Sequence, residues 1–236
     1  MCALEWVKAI LSVFPPMEER KRAAEVVKLL EKEYPAEKGT MLHWNNPMEL
    51  LVSTILSAQS TDEQINKITP ILFKRYRTAA DYANASREEL EKIIRPSGFF
   101  HRKAELIQAA SKKIVDEFSG EVPNNMEDLL KLKGVARKTA NIVLGNAYGI
   151  VEGIAVDTHV MRLSQRLGFS KQKNRDKVEK DLMELIPRDK WHPLNYLLIT
   201  HGRKVCTARR PDCAICTVNN LCPSAFTFPH NRRKTE

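Results

Sequence analysis

Leu132-Lys133-Gly134-Val135-Ala136-Arg137-Lys138-Thr139-Ala140-Asn141 reads as the end of one helix, a tight turn and the start of another. Leu129, Leu130 and Leu132 give the first element an apolar side. Gly134 supplies the positive φ that a helix stop needs. Ala140, Ile142, Val143 and Leu144 then restart the helical pattern. Backbone N–H groups in such a turn, and in the first turn of the new helix, lack intrahelical partners and suit an anion such as phosphate. Lys138 falls within that first stretch of helix, where the positive end of the helix dipole disfavours its charged form. A lysine held toward its neutral amine beside a phosphate-binding turn is a candidate nucleophile on nucleic acid. The plainer reading is a solvated lysine on an ordinary inter-helix turn.

Outward from this hairpin nearly every segment reads as helix. Residues 17–34 carry Ala23, Val26, Val27, Leu29 and Leu30 on one side, and Pro35 ends the run. Asn46-Pro47 opens a second helix, through Leu50, Leu51, Ile55 and Leu56 to about Gln59. Thr61-Asp62 caps a third that runs through Ile65, Ile68, Ile71 and Leu72 toward Tyr76. Ser86-Arg87-Glu88-Glu89 has the form of a capping box ahead of Leu90, Ile93 and Ile94. Pro96-Ser97-Gly98 is a stop, and residues 101–118 form a longer amphipathic helix closed by Ser119-Gly120. Beyond the hairpin, helices are expected over 156–167, 177–186 and 193–204. No alternating strand pattern stands out, so the fold class is all-α.

The chain has 236 residues, 43% of them hydrophobic, enough for a substantial core. Its formal net charge is +9 and its pI about 9.3, which favours a polyanionic partner such as DNA or RNA. The first sixteen residues include Leu4, Trp6, Val7, Ile10, Leu11, Val13 and Phe14, but Glu5 and Lys8 interrupt them. No basic region precedes that run and no small-residue cleavage site follows it, so it does not read as a secretory leader. No apolar run reaches the ~18 residues of a membrane span. The expectation is a soluble intracellular protein.

Four cysteines crowd the C-terminal region: Cys206, Cys213, Cys216 and Cys222, spaced C-x6-C-x2-C-x5-C. In an intracellular helical chain with one further cysteine, Cys2, a metal centre explains them better than disulfides. Zinc and a [4Fe-4S] cluster both remain open on spacing alone. A third feature is Ala155-Val156-Asp157-Thr158-His159-Val160-Met161-Arg162. Asp157 or Thr158 suits the N-cap of the next helix. Asp157 also has the chemistry of a general base, or of an anion that stabilises positive charge in a transition state.

Taken together, L-K-G-V-A-R-K-T-A-N, I-A-V-D-T-H-V and the cysteine pattern, in that order, resemble the endonuclease III family of helix–hairpin–helix DNA base-excision glycosylases. The resemblance covers about residues 17–223. It implies two helical lobes with a DNA-binding cleft between them. Residues 40–151 would form a central lobe with the hairpin; 1–39 and 152–236 would form a cluster lobe with the iron–sulfur loop. Lys138 matches the family's catalytic lysine, whose amine attacks C1′ of a flipped nucleotide, expels the damaged base and forms a Schiff base that β-elimination resolves by strand cleavage. Asp157 matches the catalytic aspartate, and the four cysteines match the ligands of a [4Fe-4S] cluster.

The resemblance also implies DNA contacts from Lys133, Gly134, Val135, Ala136 and Arg137. Gln59, in Leu56-Ser57-Ala58-Gln59-Ser60-Thr61-Asp62, falls where the family inserts a glutamine into the duplex. Phe99, in Ser97-Gly98-Phe99-Phe100-His101-Arg102-Lys103-Ala104, falls at the place of an apolar wedge. A polar residue at a helix end and a buried core phenylalanine are the plainer readings. Arg203, Lys204, Arg209 and Arg210 around the cysteines would face backbone phosphates. The partner implied is double-stranded DNA with damaged bases or abasic sites, bound by a monomer, in the cytoplasm or nucleoid if the source is prokaryotic.

Two departures stand out. The family hairpin is usually Leu-Pro-Gly-Val-Gly, whereas Lys133 and Ala136 occupy the second and fifth places here. A positive φ at Ala136 would cost around 1 kcal/mol. The segment Gly149–Gly153 is also about one residue longer than usual. Two other readings compete with the bifunctional glycosylase/lyase. One is a monofunctional mismatch adenine or thymine/uracil glycosylase, which usually lacks the lysine. The other is a non-catalytic, metal-stapled DNA-binding module, for which retention of both Lys138 and Asp157 has no use.

Overall fold

The computed structural model describes residues 17–35 and 39–229. The readings made of residues 1–16 and of the basic tail Arg232-Arg233-Lys234 lie outside them. Helices α1 (Met17–Glu33), α2 (Pro47–Leu56), α3 (Asp62–Arg75), α4 (Ala79–Ala83), α5 (Arg87–Ile94) and α6 (Phe100–Glu117) come first. They are followed by α7 (Met126–Lys131), α8 (Arg137–Val143), a π turn (Leu144–Tyr148), α9 (Thr158–Arg166), α10 (Arg175–Leu185) and α11 (Trp191–Lys204). No strand occurs among the described residues, as the helical periodicity predicts. No helix among them is long and apolar enough to cross a membrane.

The chain divides into two compact units, Thr40–Glu152 and Met1–Gly39 with Gly153–Glu236. In the first, α2 is buried on every side, from Met48 to Leu56, so it is the element around which its neighbours pack. Its start is fixed by Asn46, whose side chain accepts from Glu49 N at 2.9 Å, with Pro47 at the first helical position. The Glu49 carboxylate, also buried, accepts from Asn45 N at 2.7 Å and Asn45 Nδ2 at 2.9 Å, which offsets the cost of burying it. The second unit is built on α1, α9, α10 and α11. Val26, Val27 and Leu30 meet Val160, Leu163, Val178, Leu182, Leu194 and Leu198 in one core. Gly202 permits close approach there, since a Cβ at that position would lie 2.8 Å from Arg162 and 2.9 Å from His159.

Three local expectations need correction. The second helix stops at Leu56 rather than near Gln59: Ser57 is its C-cap, and Gln59 sits in left-handed backbone at φ 55°. Ser86 caps α5 by accepting from Glu89 N, but Glu89 turns its carboxylate to Arg75, 3.0 Å away. The full reciprocal box forms instead at Thr78 and Asp81, at the start of the short α4, which is too brief to show a helical period. And Ala136 is extended, at φ −100°, so the alanine in place of the family's glycine carries no backbone strain.

Candidate active site and cluster loop

The hairpin forms as its sequence requires. Leu132 ends α7, Gly134 turns at φ 81°, and Val135 N donates back to Leu132 O at 3.2 Å. Leu132 and Val135 point inward and are buried, while Lys133, Gly134 and Ala136 are exposed. The turn therefore presents backbone and one cation on its outer edge while two apolar side chains anchor it. Ala136 gives α8 no side-chain cap, which is the condition under which a helix start accepts an anion. Lys138 is the second residue of α8 and is half-buried, and α8 packs against the buried α2.

Gly134 is held from outside as well. A Cβ there would meet Leu106 Cβ at 3.1 Å and Cδ1 at 3.2 Å, in addition to the strain of positive φ. Gly134→Ala is expected to cost about 1–2 kcal/mol and to displace the turn. Thermal melting and affinity for undamaged duplex measure both effects, and a variant with wild-type values would show that the turn tolerates a side chain.

Asp157 lies in the other unit. It is the N-cap of α9, with Oδ1 accepting from Val160 N at 2.8 Å. The plainer expectation for this residue is thus met, and a cap leaves the second carboxylate oxygen's chemistry to be tested. The buried segment Ile154–Val156 leading to it is fixed on two sides. Ile154 N donates to Glu179 Oε1 at 3.2 Å, and Asn195 Nδ2 donates to Ala155 O at 2.5 Å. Sequence reasoning missed Glu179 and Asn195; their place on buried faces of α10 and α11 is the signal that would have found them.

Gln59 and Phe99 are both exposed, Phe99 by 66%, so the reading of Phe99 as a core residue fails. Their two loops, both in the first unit, meet at Lys103, whose ammonium donates to Leu56 O, Ser60 Oγ and Ser97 O.

No disulfide joins the four clustered cysteines, which line one pocket with Leu163, Leu167, Val205, Val218 and Phe228 among its walls. Burial, together with the charge of the other three cysteines, pushes the Cys216 thiol up to about 11. Burial likewise raises Cys222, with Cys206 and Cys213 adding to the effect. Four mutually repelling thiolates in a buried pocket need a compensating positive centre. Four sulfurs lining one pocket suit an iron–sulfur cluster and zinc alike.

Arg162 and Arg166 brace this loop, whereas Arg203, Lys204, Arg209 and Arg210 are exposed. Arg166 donates to Thr207 O and Ala208 O at 2.8 Å, approaches Cys206 Sγ at 3.2 Å, and lies over the Phe228 ring at 4.6 Å. Arg162 donates to Gly202 O at 3.0 Å and Cys206 O at 3.1 Å. The purified protein is expected to be yellow-brown and to contain iron and sulfide, losing both in Cys213→Ser. A colourless protein with stoichiometric zinc would contradict the cluster.

Comparison with known proteins agrees with this arrangement. Residues 52–188 match the HhH-GPD superfamily base excision DNA repair protein model, and residues 206–222 match the iron-sulfur binding domain of endonuclease III. Endonuclease III of Synechocystis sp. is 52% identical over 207 residues, 88% of this chain and 94% of the relative. That of Bacillus subtilis is 43% identical over 190 residues, 80% and 86% of the two chains. A solved structure of a trapped endonuclease III–DNA covalent intermediate superimposes with TM-score 0.83 at 40% identity, covering 87% of this chain and 96% of that one. A thermostable thymine-DNA glycosylase shares the fold at TM-score 0.76 and 24% identity. The chain belongs to the endonuclease III family of HhH-GPD base excision DNA repair proteins, with that family's iron–sulfur segment.

Proposed function

We propose that this base-excision glycosylase/lyase performs both reactions through the Lys138 amine, on duplex DNA carrying damaged pyrimidines. The amine attacks C1′ of an extruded nucleotide, and the C–N bond to the base breaks, its electron pair and a proton leaving with the base. The sugar ring then opens, the C1′–O4′ bond breaking as O4′ takes up a proton and the lysine nitrogen gives one up, and the imine so formed acidifies the 2′ position. Loss of that proton and departure of the 3′ phosphate cleave the strand, and water then releases the lysine. Asp157 assists departure of the base and the proton transfers. The observation that carries this reading is a half-buried lysine in the first turn of an uncapped helix, directly behind an exposed hairpin edge. A mismatch-type monofunctional enzyme has no use for that amine.

Lys133, Gly134, Val135, Ala136 and Arg137 grip the DNA backbone, while Gln59 and Phe99 fill the space the flipped nucleotide leaves. Cys206, Cys213, Cys216 and Cys222 hold the cluster, which staples the loop carrying Arg203, Lys204, Arg209 and Arg210. The enzyme acts as a monomer, in the cytoplasm or nucleoid if the source is prokaryotic. A panel of duplexes with oxidised pyrimidines, abasic sites, uracil and mismatches, scored for base release and nicking, tests the reading. Release coupled to nicking on oxidised pyrimidines is expected; base release without nicking would favour the monofunctional alternative.

A further inference from the structure

Lys103 is the one lysine that is buried among the described residues, 3% exposed on the inward face of α6 with Ala104, Ile107, Ala110, Ser111 and Ile114. Its ammonium has three hydrogens and three short contacts: Leu56 O at 2.7 Å, Ser97 O at 2.7 Å and Ser60 Oγ at 3.0 Å. Ser60 Oγ in turn donates to Ser97 O, so the four groups form a closed knot. Leu56 ends α2 and Ser60 lies in the loop after it, whereas Ser97 belongs to the 3₁₀ turn Arg95–Ser97 before α6. Each loop carries one exposed residue in left-handed backbone next to the knot. Gln59, at φ 55°, precedes Ser60; Phe99, at φ 47°, follows Gly98 at φ 68°. Such conformations cost non-glycine residues on the order of 1 kcal/mol each and persist only where surroundings enforce them.

We propose that Lys103 is a positioning residue that ties the two loops into one rigid unit, so that Gln59 and Phe99 enter the duplex together at a fixed separation. The proposal rests on the reading of those two residues as the ones that fill the stack. Its physical basis is pre-organisation. Two independently mobile loop tips would each lose conformational freedom on binding, whereas a pair already locked does not. A buried lysine is an expensive way to build a loop junction. Burial alone pushes its amine down to about 8, although all three acceptors favour the ammonium. A hydrophobic contact would give equal stability at lower cost but no directional hold on two carbonyl groups.

The test uses the holoprotein and a duplex carrying a tetrahydrofuran abasic-site analogue opposite 2-aminopurine, with an undamaged duplex as reference. Lys103→Met is expected to lower the ratio of damaged to undamaged duplex affinity about tenfold and to remove most of the fluorescence change on binding. Lys103→Arg is expected to restore a good part of both. Ser60→Ala, which leaves both carbonyl contacts of Lys103 in place and is expected to fold if Lys103→Met does not, should lower the ratio about threefold. A folded Lys103→Met with wild-type ratio and fluorescence would overturn the proposal, as would an equal loss of affinity for both duplexes. Gln59→Ala and Phe99→Ala in the same assay separate the two levels. If both leave the fluorescence unchanged, the reading of the stack-filling residues fails and the proposal with it. If both reduce it while Lys103→Met does not, only the role of Lys103 falls.

Discussion

Lys138→Ala is expected to abolish borohydride trapping of the protein on abasic-site DNA, and to lower strand cleavage on the order of 10⁴-fold or more. No other residue change at the hairpin should have so large an effect, because the remaining groups contribute binding rather than a bond to the sugar. The substitution is structurally mild. Lys138 is the second residue of α8, half-buried, and alanine is the best helix former. The exposed edge formed by Lys133, Gly134 and Ala136 is untouched, so affinity for undamaged duplex should change by less than a few fold. Retained binding with lost trapping assigns the loss to chemistry. Trapping that survives would move the nucleophile elsewhere.

Asp157→Asn is the second large effect, a drop of about 10²- to 10³-fold in base release. Asparagine caps a helix as well as aspartate does, so the bond to Val160 N and the start of α9 should both persist. Only the charge is removed. Asp157→Ala, by contrast, also loses the cap and should destabilise the protein by about 1 kcal/mol. The pair of variants separates the observed cap from the proposed role in base release. If Asp157→Asn releases base at the wild-type rate while Asp157→Ala melts earlier, Asp157 is a helix cap and nothing more.

Helix–hairpin–helix and cysteine loop were both legible in the sequence because each depends on few residues with strong local preferences. Gly134 at φ 81° is the turn that its lack of a side chain permits, and four cysteines within 17 residues have little choice but to meet. The helices with long apolar stripes, such as α6 and α10, were legible for the same reason. What was not legible depends on tertiary partners. Glu89 leaves its expected cap because Arg75 from another helix stands 3.0 Å away. The left-handed conformations of Gln59 and Phe99 have no signature in their own side chains; they follow from a knot whose members lie up to 47 residues apart. Glu179 and Asn195 reach Ile154 and Ala155 across 25 and 40 residues. Such contacts are set by the packing of whole helices and leave no local pattern to read.

The resemblance to the family decided between zinc and an iron–sulfur cluster where spacing did not. The match of residues 206–222 to the iron-sulfur binding domain of endonuclease III supports that choice. Similarly, Ala136 looked like a liability against the family pattern, yet its extended backbone makes glycine unnecessary there. The central claim is that one amine, that of Lys138, bonds to the sugar. It is tested most directly by trapping the wild-type protein on abasic-site DNA with borohydride, digesting the adduct and locating the modified residue by mass spectrometry. The expected result is a single sugar adduct on the peptide containing Lys138. An adduct on any other amine, with the Lys138 peptide unmodified, would contradict the account.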